Sequence, residues 1–544
     1  MAATHDHDVL ILGASISSTA LASVLARNGL RVMLLDDASH PRFAIGESML
    51  PQTSMWMWIV GARFGVPELQ NLSHSSRVQR SVSHTCGVKR AIGFVYHRAG
   101  VQQDPDEKHQ LIPPETPLVS ESHLFRQDTD HYLLRVAQKY GADYRENCVF
   151  RGVAFDDEGA SVILEDETSY RCRFVVDGLG GRSFLAQQLN LREEPTRLRT
   201  NTRSIFNHFM DVPPFDEVLP SGMSRGWHEG TLHHVFDGGW FWVIPFGNHE
   251  CAENRVCSVG LMLRNDRHPR TGESPEQEFK RIIGQFPAIE RHMEKAVPVR
   301  NWVASGRIQY TASRCVGPRY ALLSNTYAFV DPLYSTGLLS TFESLYALAG
   351  RLIDAVPSDD FALEHFSYLE RLQRHQIDEA DRMVHIAYRA MGDYRTWHAW
   401  TQLWLATVLF GDTYVFGRCL QYLEKQDPGV LDRLEESPGP KSEAPFAGEM
   451  NTLLASYDRL LTDVERGRGS YAEAAEAMLS ALRGAEWLPK SIYDWGSVEE
   501  RSLDFNPRFR SWLSWGATQA PMSFRKQMFN FDPSQLENVA DPGR

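Results

Sequence analysis

The sequence is poor in cysteine, and its cysteines lack the spacing of a metal site or a disulfide framework. There are seven in 544 residues, an odd number scattered over the chain: Cys86, Cys148, Cys172, Cys251, Cys257, Cys315 and Cys419. This usage is typical of reduced, mostly buried thiols in the cytosol. The adjacent His233 and His234 would point to opposite faces of a strand, so they do not favour a metal site either. We therefore predict a cytoplasmic protein without a metal.

The chain is also short of basic residues and of long apolar segments. Its 56 Lys and Arg against 69 Asp and Glu leave a formal charge of −13, which repels phosphate backbones and anionic lipid. The apolar stretch at 404–410 is far shorter than the roughly 20 residues of a membrane-spanning helix. The uncharged segment 9–26 is not preceded by the Lys or Arg of a signal peptide. We expect neither nucleic acid nor a membrane as a partner.

The N-terminal segment has the pattern of a strand, a tight turn, a helix and a second strand. An apolar run at 8–12 opens into a turn of small residues, and Leu21, Val24 and Leu25 follow with helical spacing. A second apolar run at 31–35 is closed by Asp36. This order predicts the βαβ unit of a dinucleotide-binding fold, with the start of the helix aimed at a pyrophosphate.

The turn of this unit lacks two of the three glycines of a dinucleotide fingerprint. It consists of Gly13, Ala14, Ser15, Ile16, Ser17 and Ser18. Serine is small enough for close packing, and its hydroxyl can donate to a phosphate. Asp36 stands where a carboxylate is expected to accept ribose hydroxyls. These residues predict a nucleotide site, and a βαβ unit without nucleotide stays open as the alternative.

Three further places carry residues suited to a flavin nucleotide. Gly46, Glu47 and Ser48 follow the second strand, Arg126 begins a helical segment, and Asp177 precedes a glycine-rich turn. Together they resemble the flavin-dependent monooxygenases and halogenases. The resemblance implies that these side chains bind FAD, Arg126 with a planar fork of donors suited to a pyrophosphate. An ion pair of Arg126 with Asp128 or Asp130 is the alternative.

Two longer motifs are similar to the signatures of flavin-dependent halogenases. Trp240-Phe-Trp242-Val-Ile244-Pro245 fits W-x-W-x-I-P, and Phe329-Val-Asp331-Pro332-Leu-Tyr334-Ser335-Thr336-Gly337 fits F-x-x-P-x-x-S-x-G. For Trp240 and Trp242 the resemblance implies a place against the flavin, which keeps organic substrate away from it. Packing in the core of a strand is compatible with that role.

The second motif predicts an anion site and part of a substrate pocket. Thr336 and Gly337 would lie at the start of a helix, where free amides favour chloride or bromide. Asp331 is expected near the FAD ribityl and phosphate groups, a plain turn being the alternative. Tyr334 stands where tryptophan halogenases carry a glutamate, so the resemblance favours a phenol over an indole, with Tyr334 and Ser335 near the substrate.

Lys89 resembles the catalytic lysine of the halogenases. It lies in an apolar, strand-like segment, where burial lowers the pKa of an ammonium group. Such a lysine either holds hypohalous acid by a hydrogen bond or loses its proton and forms a haloamine. Arg90 is the competing candidate, and the alternation of a strand points it to the opposite face.

The chain is thus identified as a member of the flavin-dependent phenol halogenases. The implied fold is α/β: a Rossmann-like FAD-binding domain at 1–358, with an inserted substrate-side sheet at about 202–303. A helical C-terminal region at 359–544 would contain a Pro/Gly linker at about 427–447. The implied activity is FADH2-dependent oxidation of chloride or bromide by a flavin hydroperoxide, then halogenation of a phenolic substrate through Lys89.

The sequence also bears on partners and on other functions. No second nucleotide loop for NAD(P)H is found, so we expect a separate flavin reductase. A homodimer is left open. The alternatives are a flavin-dependent aromatic monooxygenase, which would make product without halide, and an inactive binding partner in a biosynthetic assembly, which would not take up FAD.

Overall fold

The computed structural model describes residues 6–435 and 447–538, so residues 436–446 of the predicted linker lie outside the described part. The strands are β1 (His7–Leu12), β2 (Val32–Leu35), β3 (Gly87–Lys89), β4 (Ile92–Tyr96), β5 (Lys108–Ile112), β6 (Glu121–His123), β7 (Asp143–Arg145), β8 (Phe150–Phe155), β9 (Ala160–Leu164), β10 (Ser169–Asp177), β11 (Thr202–Met210), β12 (Thr231–Phe236), β13 (Gly239–Pro245), β14 (Cys257–Arg264), β15 (Val297–Pro298), β16 (Val303–Ala304), β17 (Tyr310–Thr311), β18 (Val316–Gly317), β19 (Tyr320–Leu322), β20 (Ala328–Phe329) and β21 (Ser502–Asp504). The helices are α1 (Ile16–Arg27), α2 (Pro51–Phe64), α3 (Pro67–Gln70), α4 (Ser75–Ser81), α5 (Arg126–Lys139), α6 (Phe184–Gln188), α7 (Pro275–Ile283), α8 (Pro287–Met293), α9 (Ser324–Tyr327), α10 (Thr336–Ser358), α11 (Ser367–Ala390), α12 (Tyr394–Lys425), α13 (Gly429–Asp432), α14 (Ala447–Glu465), α15 (Tyr471–Gly484), α16 (Phe509–Thr518) and α17 (Met522–Met528).

The first sheet is built around β1. Its order is β18-β19-β10-β1-β2-β7, with β9 paired to β10 and β8 to β9. β1 runs parallel to β2 and β10, and both β1 and β2 are almost wholly buried, which is typical of a parallel sheet covered by helices. In such sheets ligands bind at the carboxyl ends of the strands. The predicted Rossmann-like α/β fold is confirmed.

The second sheet has nine strands in the order β15-β11-β14-β13-β12-β4-β5-β21, with β16 also paired to β11. It extends beyond the range 202–303 that we predicted for it, because β4 pairs in parallel with β12 and β21 pairs with β5. Side chains of β13 alternate between its faces. Trp240, Trp242 and Ile244 join the main core, while Phe241 and Val243 join a smaller cluster on the other side.

The C-terminal region is mostly helical, as predicted. Its longest helix, α12, has 32 residues, and 24 of them are buried, so it crosses the molecule between other helices. None of the helices in the described ranges is apolar over a length that could cross a membrane. All seven cysteines are free thiols, and every one except Cys251 is buried, as the sequence analysis expected.

Candidate active site

The predicted phosphate loop connects β1 to α1 with its small residues in close contact with another turn. Gly13 has a φ of +88°, and a Cβ there would lie 3.0 Å from Leu179 Cδ2 and 3.3 Å from the carbonyl oxygen of Gly178. α1 begins at Ile16 after Ser15, whose side chain does not cap the helix. The first amides of a helix have no acceptor within it, so the start of α1 offers free donors and a positive dipole end.

The serines that replace the two glycines form a hydroxyl cluster. Ser15 Oγ lies 2.9 Å from Ser17 Oγ and 3.2 Å from Ser18 Oγ. Ser18 fits because its neighbour on the opposite turn is Gly178: a Cβ at that position would lie 2.1 Å from Ser18 Oγ. The space usually left by the third glycine of the fingerprint is therefore supplied by Gly178.

This contact yields a prediction about the loop. We expect Gly178→Ala to weaken FAD binding and to destabilise the protein by about 1–3 kcal/mol, because the new methyl group overlaps Ser18 Oγ. Adding Ser18→Gly to that variant removes the overlap and should restore most of both losses. Flavin fluorescence titration and thermal unfolding measure the two effects. If the double variant binds FAD as weakly and unfolds as readily as Gly178→Ala alone, the overlap with Ser18 is not the cause of the losses.

Asp36 and Asp177 are buried at the ends of β2 and β10, and donors from the protein already surround both carboxylates. Asp36 accepts from the amides of Ala14 and Ala38 at 2.8 and 3.1 Å and from Arg42 Nη2 at 2.7 Å. Burial raises the pKa of Asp36. Two of these donors share Oδ2, whereas Oδ1 accepts from Ala38 alone and keeps a lone pair for a ribose hydroxyl.

The Asp177 carboxylate ties down the turn that follows β10. It accepts from the amides of Leu179 and Leu185 and from Ser183 Oγ, at 2.8–2.9 Å. Burial also raises the pKa of Asp177. In this arrangement Asp177 holds the turn that contacts Gly13.

Arg126 holds the segment that contains Glu47 and Ser48. Its guanidinium forms a two-pronged ion pair with Asp130 at 2.7 and 2.9 Å and donates to the carbonyl oxygen of Ile45 at 2.6 Å. Glu47 Oε1 lies 2.7 Å from His208 Nε2, and Ser48 Oγ lies 2.8 Å from Thr231 Oγ1. These contacts fix the segment between the phosphate loop and the second sheet.

Asp331 connects the second motif to Trp240. It is fully buried, accepts from Thr202 Oγ1 at 2.8 Å and Tyr388 OH at 3.1 Å, and has a pKa raised to about 6 by burial. Trp240 Nε1 donates to Tyr388 OH at 2.8 Å. Trp242 lies beside Trp240, with ring centroids 5.8 Å apart. Sequence reasoning missed Tyr388, which links Asp331 to Trp240 from α11.

The residues before α10 form a sharp bend. Tyr334 and Ser335 have φ values of 71° and 55°, a conformation that is costly for residues other than glycine and concentrates at functional sites. The bend places Thr336 and Gly337 at the start of a 23-residue helix. Tyr334 is held in place because its hydroxyl accepts from Trp400 Nε1 at 2.5 Å and its ring stacks on Trp404 at 4.6 Å.

Lys89 is buried and has a carboxylate partner that the sequence did not reveal. β3 pairs antiparallel with β6 so that Lys89 stands opposite Glu121, with Nζ and Oε1 3.8 Å apart. Lys89 Nζ also donates to the carbonyl oxygen of Met49. Burial lowers the pKa of Lys89 and raises that of Glu121 to about 7. Arg90 is exposed, so the prediction that it faces the other way is confirmed.

An apolar cavity is lined by residues that neighbour this pair in the chain. Three wall residues are such neighbours. Pro51 lies two residues after Met49, Ile92 lies three residues after Lys89, and Val119 lies two residues before Glu121. The far wall comes from α12 and the C-terminal region, with Leu409, Phe505, Phe509, Trp512 and Leu513. Asp412 is the one charged side chain among the residues that line it. We call this space the first cavity. Its lining suits an aromatic ring with few polar groups, and at about 50 Å³ it admits such a ring only if wall side chains move.

The fold and the site combine a dinucleotide-binding βαβ unit with a buried lysine on a separate pair of strands. The sequence profile of the tryptophan halogenase family matches residues 105–409. Monodechloroaminopyrrolnitrin halogenase PrnC from Pseudomonas fluorescens is 37% identical over 97% of this chain and 94% of its own length. Tetracycline 7-halogenase from Kitasatospora aureofaciens is 38% identical over 89% of this chain and 87% of its own length.

A solved structure of a halogenase is also similar to this chain. The crystal structure of halogenase PltM in complex with phloroglucinol and FAD has a TM-score of 0.85 and 31% identity, covering 92% of this chain and all of PltM. The chain belongs to the flavin-dependent halogenases. The enzyme class, the flavin dependence and the fold expected from the sequence are confirmed.

Proposed function

We propose that this halogenase uses reduced FAD, dioxygen and chloride or bromide to halogenate an electron-rich phenolic ring held in the first cavity. The observation that carries the proposal is the buried Lys89–Glu121 pair, together with an apolar cavity lined by its neighbours in the chain. Phloroglucinol, the phenol bound in the PltM structure, supports the substrate class. A separate flavin reductase would supply the reduced flavin.

The residues around the phosphate loop fit a flavin nucleotide. Glycines leave room at two places: at Gly13, and at Gly46, where a Cβ would lie 2.9 Å from Arg126 Nη1. The free amides of α1 and the serine hydroxyls are donors of the kind that a pyrophosphate requires, and Arg42 and Arg126 would join them by releasing Asp36 and Asp130. We propose that FAD is held by Gly13, Ala14, Ser15, Ser17, Ser18, Asp36, Glu47, Ser48, Arg126, Asp177 and Asp331. When bound, FAD supplies the oxidation of halide to hypohalous acid.

The remaining residues separate that oxidation from the organic substrate. Thr336 and Gly337 would hold the halide at the start of α10. Trp240 and Trp242 are buried in β13, and the hydrogen bond from Trp240 to Tyr388 keeps the first ring in place. In this position they would deny the phenol access to the flavin. Tyr334 and Ser335 would line the space between the halide and Lys89.

Lys89 acts at the ring in one of two ways. As an ammonium group it donates a hydrogen bond to the oxygen of hypohalous acid and makes the halogen more electrophilic. As a neutral amine it exchanges an N–H hydrogen for the halogen, releasing water, and then passes the halogen to the ring while regaining a proton. In both cases a ring hydrogen is replaced by halogen, and Glu121 is the group placed to accept a proton from Lys89.

Mass spectrometry of the products tests the proposal. The reaction contains purified protein, FAD, a flavin reductase, NADH, bromide or chloride, and a panel of resorcinol-like phenols. We expect a halogenated phenol that forms only when halide is present. Hydroxylated product without halide would instead establish the monooxygenase.

A variant of the C-terminal wall tests where the phenol binds. We expect Leu513→Trp to raise KM for the phenol by about tenfold or more, because the larger ring fills the first cavity. The rate at which halide is oxidised should stay the same, since Leu513 belongs to α16, which supplies none of the residues proposed to hold FAD or halide. Steady-state kinetics with monochlorodimedone as a halogen trap separates the two effects. An unchanged KM would place the phenol elsewhere.

A further inference from the structure

A second cavity of about 210 Å³ lies between α2, α10, α11, α12 and α14. It touches Tyr334 and Thr336 of the second motif, and its inner wall includes Leu333 and Leu339. The first cavity is lined by other residues of α2, namely Pro51 and Met55. Of the residues that line this cavity, the function proposed above uses Tyr334 and Thr336.

Two buried N–H donors on α2 line the second cavity without a partner. Gln52 is 3% exposed and Trp56 is 2% exposed, and neither Gln52 Nε2 nor Trp56 Nε1 has an acceptor among the described residues. The two residues are four positions apart, so they stand on the same face of the helix, one turn from each other. Unpartnered buried donors are rare, because each forfeits the hydrogen bonds it would make in water.

The two unpartnered atoms suit an anion. Both of them donate, and a halide ion takes hydrogen bonds from donors only. Thr336, at the positive end of α10, lines the same cavity, and Leu333 and Leu339 supply the apolar surface that a large, weakly hydrated anion tolerates.

The two carboxylates on this cavity are already engaged. Glu343 Oε2 accepts from Gln376 Nε2 at 2.7 Å, and Glu379 Oε1 lies 3.6 Å from Arg382 Nη1. Arg382 thereby offsets part of the charge of Glu379, whereas the neutral amide of Gln376 binds Glu343 without offsetting its charge.

We propose that Gln52 and Trp56 form a waiting site for chloride or bromide, from which the ion passes to Thr336 and Gly337. This inference rests on the proposed function, since it assigns the halide a place before it is oxidised. The site would raise the local concentration of halide beside α10. No bond forms or breaks there.

Diffraction from crystals of the unaltered protein soaked in sodium bromide tests the site directly. We expect an anomalous scattering peak within hydrogen-bonding distance of Gln52 Nε2 and Trp56 Nε1. Bromide found only at Thr336 and Gly337, or only at the protein surface, would overturn the proposal. This measurement does not depend on turnover, so it distinguishes failure of the waiting site from failure of the halogenase function, for which the unaltered enzyme would give no halogenated product.

Kinetics then tests whether the site serves the reaction. We expect Gln52→Leu and Trp56→Phe each to raise KM for halide by about tenfold, because each removes a hydrogen bond to an anion. The value of kcat at saturating halide and KM for the phenol should stay the same. Trp58→Phe is the matched control: it makes the same change on the same helix, and Trp58 does not line the second cavity. A KM for halide that is unchanged in both variants, or raised equally in the control, would overturn the proposal.

Discussion

Replacing Lys89 with alanine is expected to lower the rate of halogenation by about 10³-fold or more, because the substitution removes the group that activates or carries the halogen. Binding of FAD and oxidation of halide should persist, since the partners of Lys89 are Glu121 and the Met49 carbonyl and not the phosphate loop. Product mass spectrometry, flavin titration and hypohalite trapping in the same samples measure these three quantities. Halogenated product at the unaltered rate would exclude Lys89 from the reaction.

Arg90→Ala provides the matched control for this variant. Arg90 is the next residue in the chain, but it is exposed, and its Nη1 lies 3.5 Å from Glu229 Oε2. Loss of a surface ion pair costs little, so we expect a rate within about twofold of the unaltered enzyme. If both variants lost activity alike, the loss would come from damage to β3 and not from the amine.

The second large effect is expected at Glu121, where glutamine should lower the rate by about 100-fold near neutral pH. Burial raises the pKa of Glu121 to about 7, against an ordinary value of 4.5, so the carboxylate that can accept a proton predominates only above that pH. The rate of the unaltered enzyme should therefore rise between about pH 6 and pH 8. In Glu121→Gln this rise should disappear, because the titrating group is gone.

Further variants separate this proton-transfer role from a structural one. Breaking a buried ion pair costs about 3–5 kcal/mol, so the unfolding temperature of Glu121→Gln has to be measured alongside its rate. Glu121→Asp should restore part of the activity and also the rise with pH. Glu115→Gln makes the same change at an exposed residue and should leave the profile as it is. A rise with pH that survives in Glu121→Gln would show that another group titrates.

Much of the fold and part of the site follow from short stretches of sequence. The βαβ unit, the two halogenase signatures and the helical C-terminal region all consist of residues close together in the chain, where spacing and residue type decide the local structure. That the side chains of Lys89 and Arg90 point to opposite faces follows in the same way from the alternation of a strand. These features place the chain among the flavin-dependent halogenases before any tertiary contact is known.

The partners of these residues depend on the tertiary structure. Glu121 meets Lys89 only because β3 and β6 pair in one register, and a shift of one residue would turn its side chain to the other face. Gly178 makes room for Ser18 across two turns, and Tyr388 reaches Asp331 from a distant helix. The first cavity likewise joins α2 and β4 to residues beyond 500. The sequence by itself determined the class of chemistry, because its motifs are local. The tertiary structure decided the direction in which the pKa of the lysine is shifted and the shape of the first cavity, because burial and pairing arise from contacts between segments far apart in the chain.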